Sequence, residues 1–229
     1  MTAVSFDFGQ TLCELDYEFL RARLAERGIE LDPLAARDTS AAAWALYGEK
    51  KAEGHALAWR SMIEVLLRGG GVSEARLSES SEWLWREQPA HNLWRRPIPG
   101  MIELVAELKT RRVPVGVISN SEGRLAELVE ELGWTAHFDA IVDSGRLGID
   151  KPHPRIFEHA ARQLGVRPSE LIQVGDSWEA DVMGARGVQA RAVWFDLTKS
   201  ERPLPDGVLA AADVLETRSA LRRFGVISE

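Results

Sequence analysis

The stretch VSFDFGQTLCEL (residues 4–15) climbs through apolar residues to a lone carboxylate, Asp7, and then breaks into Gly9, Gln10 and Thr11. A carboxylate at a strand tip can be a nucleophile, a ligand for a hard cation, or only a solvated strand end. Three more short apolar runs finish in the same way. VPVGVIS (113–119) ends on Ser119 and is followed by Asn120; FDAIVDS (138–144) ends on Asp143 and Ser144; LIQVGDS (171–177) ends on Asp176 and Ser177. A lysine, Lys151, stands in GIDKPHP between the last two runs. Any one such end is explained by the turn preference of Asp, Ser and Asn. Four of them with a lysine point to one shared cluster, and carboxylates, hydroxyls and a lysine together suit phosphoryl chemistry. A carboxylate can attack phosphorus to give an acyl phosphate, which splits one hard displacement into two easier ones. Repulsion between that carboxylate and a phosphate calls for a divalent cation and for positive charge from a lysine.

The elements that must position these residues can be read from periodicity. The β-branched runs alternate with amphipathic stretches, GMIELVAELKTR (100–111), GRLAELVEELG (123–133), PRIFEHAARQLG (154–165) and EADVMGARG (179–187). Strand–helix alternation specifies an α/β fold, a mostly parallel Rossmann-like sheet in a three-layer α/β/α arrangement. In such sheets ligands bind outside the carboxyl ends of the strands, where all four polar ends would lie. With AVSFDF and ARAVWFD (190–196) the count is five strands, and ADVLE (212–216) offers a sixth. Residues 16–92 read instead as helical throughout, in about four helices, with PLAARDTSAAAWALYGEKKAEG (33–54) interrupted around Gly48. The expected domains are therefore 1–15 with 94–229 as the α/β core and 16–93 as an inserted helical bundle, with the Pro-rich LWRRPIPG (93–100) as the return linker.

The bulk composition narrows the partners. The 229 residues are 45% apolar, enough for real cores in both regions, and carry a net charge of −7. A basic excess that could neutralise nucleic-acid phosphates is lacking, so no nucleic-acid partner is expected. No apolar run approaches membrane-spanning length, and MTAVSFDF lacks the features of a signal peptide, so no membrane association is expected. The single cysteine, Cys13, excludes an internal disulfide and suits a reducing, cytoplasmic location. Five of the eight tryptophans lie between Trp44 and Trp94 and read mostly as bundle core.

Taken together, four motifs resemble those of the haloacid dehalogenase-like (HAD) hydrolase superfamily, specifically its phosphatase-type members with a helical cap. FDFGQTL resembles the first motif and VISNSEGRL the second. GIDKPHPRIF resembles the third and VGDSWEADVMGA the fourth. The resemblance covers essentially the whole chain, and KPHPRIF followed by VGDSWEADVMGA is its most specific part. It implies Asp7 as nucleophile and Lys151 as the cation serving both nucleophile and phosphate. Thr11, Ser119, Asn120 and Lys151 would bind a small phosphorylated substrate. Mg²⁺ would be held by Asp7, the Gly9 carbonyl and Asp176, with Asp181 orienting ligands from the second shell. Asp143, Ser144 and Cys13 read as structural.

Gly9 departs from the pattern. Phosphatases of this family carry a second Asp there, which protonates the leaving oxygen and later activates water. Such help is worth about 10² to 10⁴-fold, and the Gln10 amide cannot exchange a proton usefully. The first reading is a phosphohydrolase that is weak, selective for good leaving groups, or supplied with an acid by His55, Glu49, Glu14 or Asp16. The second is a phosphonate hydrolase-like enzyme forming an imine on Lys50 or Lys51, although a lysine pair beside Glu49 and Glu53 also fits a solvated face. The third is a catalytically silent protein that binds phosphate and metal. A true dehalogenase fits less well, because those enzymes need no metal and typically lose the acid that Asp176 retains.

Overall fold

The computed structural model describes residues 1–227; residues 228–229, at the end of the expected core segment, lie outside it. Chain contacts divide it into two compact units, Met1–Glu14 with the chain from Trp94 onward, and Leu15–Leu93.

The first unit opens with β1 (Ala3–Phe6) and continues into β2 (Cys13–Leu15), where the chain passes into the helical unit. That unit holds α1 (Tyr17–Ala25), α2 (Pro33–Asp38), α3 (Ser40–Lys50), α4 (His55–Gly69) and α5 (Glu74–Glu87). The break in the second helical stretch falls at Thr39, not at Gly48. Thr39 caps α2, its hydroxyl donating to the Ala36 carbonyl (2.7 Å), whereas Gly48 lies inside α3 on an exposed face, where glycine costs about 1 kcal/mol relative to alanine without ending the helix. The core of the bundle includes Ala58, Trp59, Met62, Ile63 and Leu66 of α4, spaced for one helical face.

The chain returns through β3 (Trp94–Pro97), which pairs with β2 in a two-stranded ribbon, so the segment expected to be a linker is a strand. There follow α6 (Met101–Thr110), β4 (Val115–Ser119), α7 (Leu125–Glu131), β5 (Ala140–Asp143), α8 (Ser144–Leu147), α9 (Pro154–Gln163), β6 (Leu171–Gly175), α10 (Gly184–Gly187), β7 (Arg191–Phe195), β8 (Val208–Ala211) and α11 (Val214–Arg223). Six strands form one parallel sheet in the order β5-β4-β1-β6-β7-β8. The sixth strand is VLAA rather than ADVLE. Asp213 instead caps α11 by accepting the Glu216 amide (2.8 Å), which commits the residues after it to a helix.

The central strands β1, β4 and β6 are buried on both faces, as a sheet covered by helices requires. Ile156, Phe157 and Ala160 of α9, with Leu164 just after it, lie within one apolar cluster with Ile118, Val142, Leu171 and Trp194. Burying a side chain such as Phe157 contributes about 1.5–3 kcal/mol. β1 sits in the interior of the sheet with β4 on one side and β6 on the other, and the chain order runs outward from it in both directions. Its carboxyl end is thus the switch point at which such folds bind ligands. Among the described residues no helix is long and apolar enough to cross a membrane.

Candidate active site

Asp7 follows β1 directly, its amide donating to the Val174 carbonyl of β6 (2.8 Å). Register places the other motifs around it. Phe6 pairs with Val117 and with Val174, so Ser119 and Asp176 stand level with the residue after Asp7, one on each side. The turn beyond Asp7 is held tightly. The amides of Leu12 and Cys13 both donate to the Phe8 carbonyl (2.9 Å each), and Gln10 donates to Cys13 (2.7 Å). Gln10 adopts φ 56°, a left-handed conformation that costs a non-glycine residue about 1–2 kcal/mol and so implies a turn fixed by its surroundings. Thr11 is fully buried there, and its hydroxyl has no hydrogen-bond partner among the described residues.

Lys151 is buried at the centre of the cluster. Its Nζ lies 2.6 Å from Asp181 Oδ1 and 2.8 Å from Asp7 Oδ1. The contact with Asp181 is a directed hydrogen bond; that with Asp7 is close without the alignment of one, so Asp7 Oδ1 remains without a full partner. Burial works to lower the pKa of Lys151, but the neighbouring Asp181 and Asp7 carboxylates outweigh it and hold the ammonium charged. Asn120 fastens the lysine from behind: its side chain accepts the Lys151 amide (2.7 Å) and donates to the Lys151 carbonyl (3.0 Å). The structure thus brings that side chain onto the lysine's backbone.

Asp7, Asp176 and Asp181 each offer a carboxylate oxygen, and these oxygens lie within 4.8 Å of one another. Burial raises the pKa of Asp176, and the charges of Asp7 and Asp181 raise it further, against a smaller pull from Lys151. Burial also pushes Asp181 up, to about 6, with Lys151 opposing. Both oxygens of Asp181 are engaged by the protein: Oδ1 accepts from Lys151 and from Gln173 (2.9 Å), and Oδ2 from the Ser177 amide (3.1 Å). Asp181 arrives there on a π-helical turn, Trp178–Met183, capped by Ser177.

Several supporting residues escape a motif reading. Ser5 and Gln173 face each other in register on β1 and β6, both wholly buried, with the Ser5 hydroxyl donating to Gln173 Oε1 (2.5 Å). Gln173 then donates to Asp181, so a buried polar pair props the cluster from within the sheet. The available signal was a polar residue interrupting each apolar strand, AVSF and LIQVG. Trp194 of β7 donates its indole N–H to the Asp176 carbonyl (2.9 Å), fixing that turn from the next strand. Asp143 accepts the amides of Gly123, Leu125 and Gly145, and Ser144 bonds Ser121, which makes both braces of the neighbouring loops. Cys13 is buried and its thiol is pushed above the ordinary range by that burial.

Three of the four residues considered as substitutes for the missing acid have local partners. Glu14 pairs with Arg96 (3.1 Å), and Asp16 caps α1 by accepting the Phe19 amide (2.9 Å). His55 lies 3.1 Å from the Tyr47 hydroxyl, and Glu49 is exposed. Lys50 pairs with Glu53 (3.4 Å) and Lys51 is exposed, the arrangement of a solvated face.

Residues 1–189 match the family model described as haloacid dehalogenase-like hydrolase. The chain belongs to that family. Among curated members it is similar to a phosphoserine phosphatase of Thermus thermophilus, 35% identical over 68% of this chain and 63% of the relative. It is also similar to a glyceraldehyde 3-phosphate phosphatase of Methanothermobacter thermautotrophicus, 36% identical over 47% of this chain and 49% of the relative. The matches therefore span about half to three fifths of those relatives' lengths. Among solved structures, the HAD-hydrolase YfnB of Bacillus subtilis, crystallised with magnesium, superposes with a TM-score of 0.66 at 18% identity, covering 96% of this chain and 98% of that one. That likeness is one of fold.

Proposed function

We propose that this HAD-like hydrolase is a magnesium-dependent phosphohydrolase acting on a small phosphorylated metabolite through a phosphoryl–Asp7 intermediate. The observation that carries the reading is the charge of the cluster. Three aspartates with ligand oxygens within 4.8 Å share one buried ammonium. With all three ionised, two negative charges stay uncompensated, and each disfavours the others. All the donors are carboxylates, without nitrogen or sulfur, which suits a hard cation such as Mg²⁺. Asp7, Asp176 and the Gly9 carbonyl would hold it, and Asp181 would orient them from the second shell. The bound cation supplies positive charge that lets a carboxylate and a phosphate approach.

The chain's own groups then account for two displacements. An Asp7 oxygen bonds to phosphorus as the bond to the leaving oxygen breaks, and that oxygen departs with the electron pair and takes a proton from water. A second water attacks the phosphorus, the bond to Asp7 breaks, and phosphate leaves with the carboxylate restored. Lys151 offsets charge on Asp7 and on the phosphoryl oxygens. The unpartnered Thr11 hydroxyl, the Ser119 hydroxyl and the Asn120 backbone amide are donors suited to phosphate. We assign the helical unit the role of cap, choosing among metabolites, and the lone buried cysteine fits a reducing cytoplasm. The names of the curated relatives favour the same reading. It is tested by a phosphate-release screen across phosphorylated metabolites: release that requires Mg²⁺ supports it, and no release from any substrate overturns it.

A further inference from the structure

The glycine at position 9 is not backed by a vacancy. A Cβ built on Gly9 would stand 3.3 Å from Trp94 Cδ1, 3.6 Å from Nε1 and 3.8 Å from Cγ. The pyrrole edge of one indole therefore lies against the place a side chain would enter. Trp94 is itself buried, at 9% exposure, and sits in β3 of the β2–β3 ribbon. The Gly9 backbone does not explain the residue choice, because φ at Gly9 is not positive and any residue could adopt it. Even a methyl group there would require the indole to give by a few tenths of an ångström, and a carboxylate needs more room than a methyl group.

We propose that Trp94 is a specificity-determining residue: its indole takes the space of a position-9 acid, confining the enzyme to phosphorylated substrates whose leaving group departs as a stable anion. Suitable classes are acyl, enol and aryl phosphates, in contrast to alkyl monoesters, whose alkoxide must be protonated as it leaves. The substrate half rests on the phosphohydrolase reading; the packing half does not.

A double-mutant cycle separates them. Gly9→Asp, Trp94→Ala and the double variant are compared by thermal melting, with Trp94→Leu as a second background should the alanine variant fold poorly. Gly9→Asp is expected to lower the melting temperature with Trp94 intact and to lower it by several degrees less once the indole is gone. Equal shifts in both backgrounds would overturn the shared-space assignment whether or not the protein is an enzyme.

The same variants are then assayed on p-nitrophenyl phosphate and on an alkyl monoester. Wild type should favour the aryl substrate steeply. Adding Gly9→Asp to the Trp94 variant should raise alkyl turnover by about 10²-fold, the lower end of general-acid help, with little change on the aryl substrate. A comparable alkyl gain from Gly9→Asp with Trp94 intact would refute the role of the indole, as would equal gains on both substrates. If no variant releases phosphate, the phosphohydrolase reading and the leaving-group assignment fall together, and the melting cycle still decides the packing.

Discussion

Gly175→Ala probes how the cluster is held. Gly175 ends β6, and its φ is not positive, so its backbone would accept alanine; the obstacle is space. The added Cβ would stand 2.2 Å from Asp181 Cγ, 2.4 Å from Oδ2 and 2.6 Å from Cβ. Ordinary contacts lie near 3.5–4.0 Å, so the overlap exceeds about 1 Å. Asp181 has no easy retreat, being fully buried and tied to Lys151, Gln173 and the Ser177 amide. Overpacking costs about 1–3 kcal/mol, and a buried ion pair that loses a partner costs about 3–5 kcal/mol. The entropy gained by removing a glycine, about 0.4–1 kcal/mol, is too small to compensate. We expect a loss of about 2–5 kcal/mol in urea unfolding, together with loss of phosphate release. Asp181→Gly removes the colliding atoms, so adding Gly175→Ala to that variant should cost far less. A Gly175→Ala protein within about 0.5 kcal/mol of wild type would refute the packing argument.

Asp176→Asn removes a proposed ligand and should weaken Mg²⁺ binding at least tenfold in calorimetry; unchanged affinity would remove Asp176 from the metal site. Gln173→Leu leaves the Ser5 hydroxyl without its acceptor and removes one of the three donors to Asp181, and should destabilise by about 1–3 kcal/mol in thermal unfolding. The raised pKa values of Asp181 and Asp176 mean that the folded, metal-free protein holds protons that the unfolded chain releases near its ordinary carboxylate range. The stability they contribute is full below about pH 4 and is lost as pH rises through about 6. Melting in EDTA should therefore fall from pH 4.5 to 7, and Mg²⁺ should flatten the slope by replacing those protons; a rise in EDTA over that range would contradict the raised values.

Much of this was legible in the sequence because the site is made of strand ends. An apolar run that stops at Asp7, Ser119 or Asp176 announces both the strand and the residue it presents, and the parallel sheet brings the ends to one edge. The internal supports were harder to read. Ser5 and Gln173 are polar residues inside apolar strands, and only the register of β1 on β6 makes them partners. The role of Gly175 depends on a carboxylate six positions later folding back over it on a π-helical turn. Trp94 stands far from Gly9 in sequence, and a Pro-rich stretch reads as a linker until pairing with Cys13–Leu15 makes it a strand. The sixth strand was misplaced because ADVLE has strand-like residues, while the cap at Asp213 decides for helix.

The most direct test of the central claim is acid quenching during turnover with Mg²⁺, followed by mass spectrometry of the peptide containing Asp7. Gly9 offers no base to activate the second water, so the phosphoryl–Asp7 intermediate should accumulate. We expect one phosphoryl group on Asp7, removed by hydroxylamine and absent from Asp7→Asn. Phosphate release with no such adduct, or with an adduct on another residue, would contradict the assignment of Asp7 as the nucleophile.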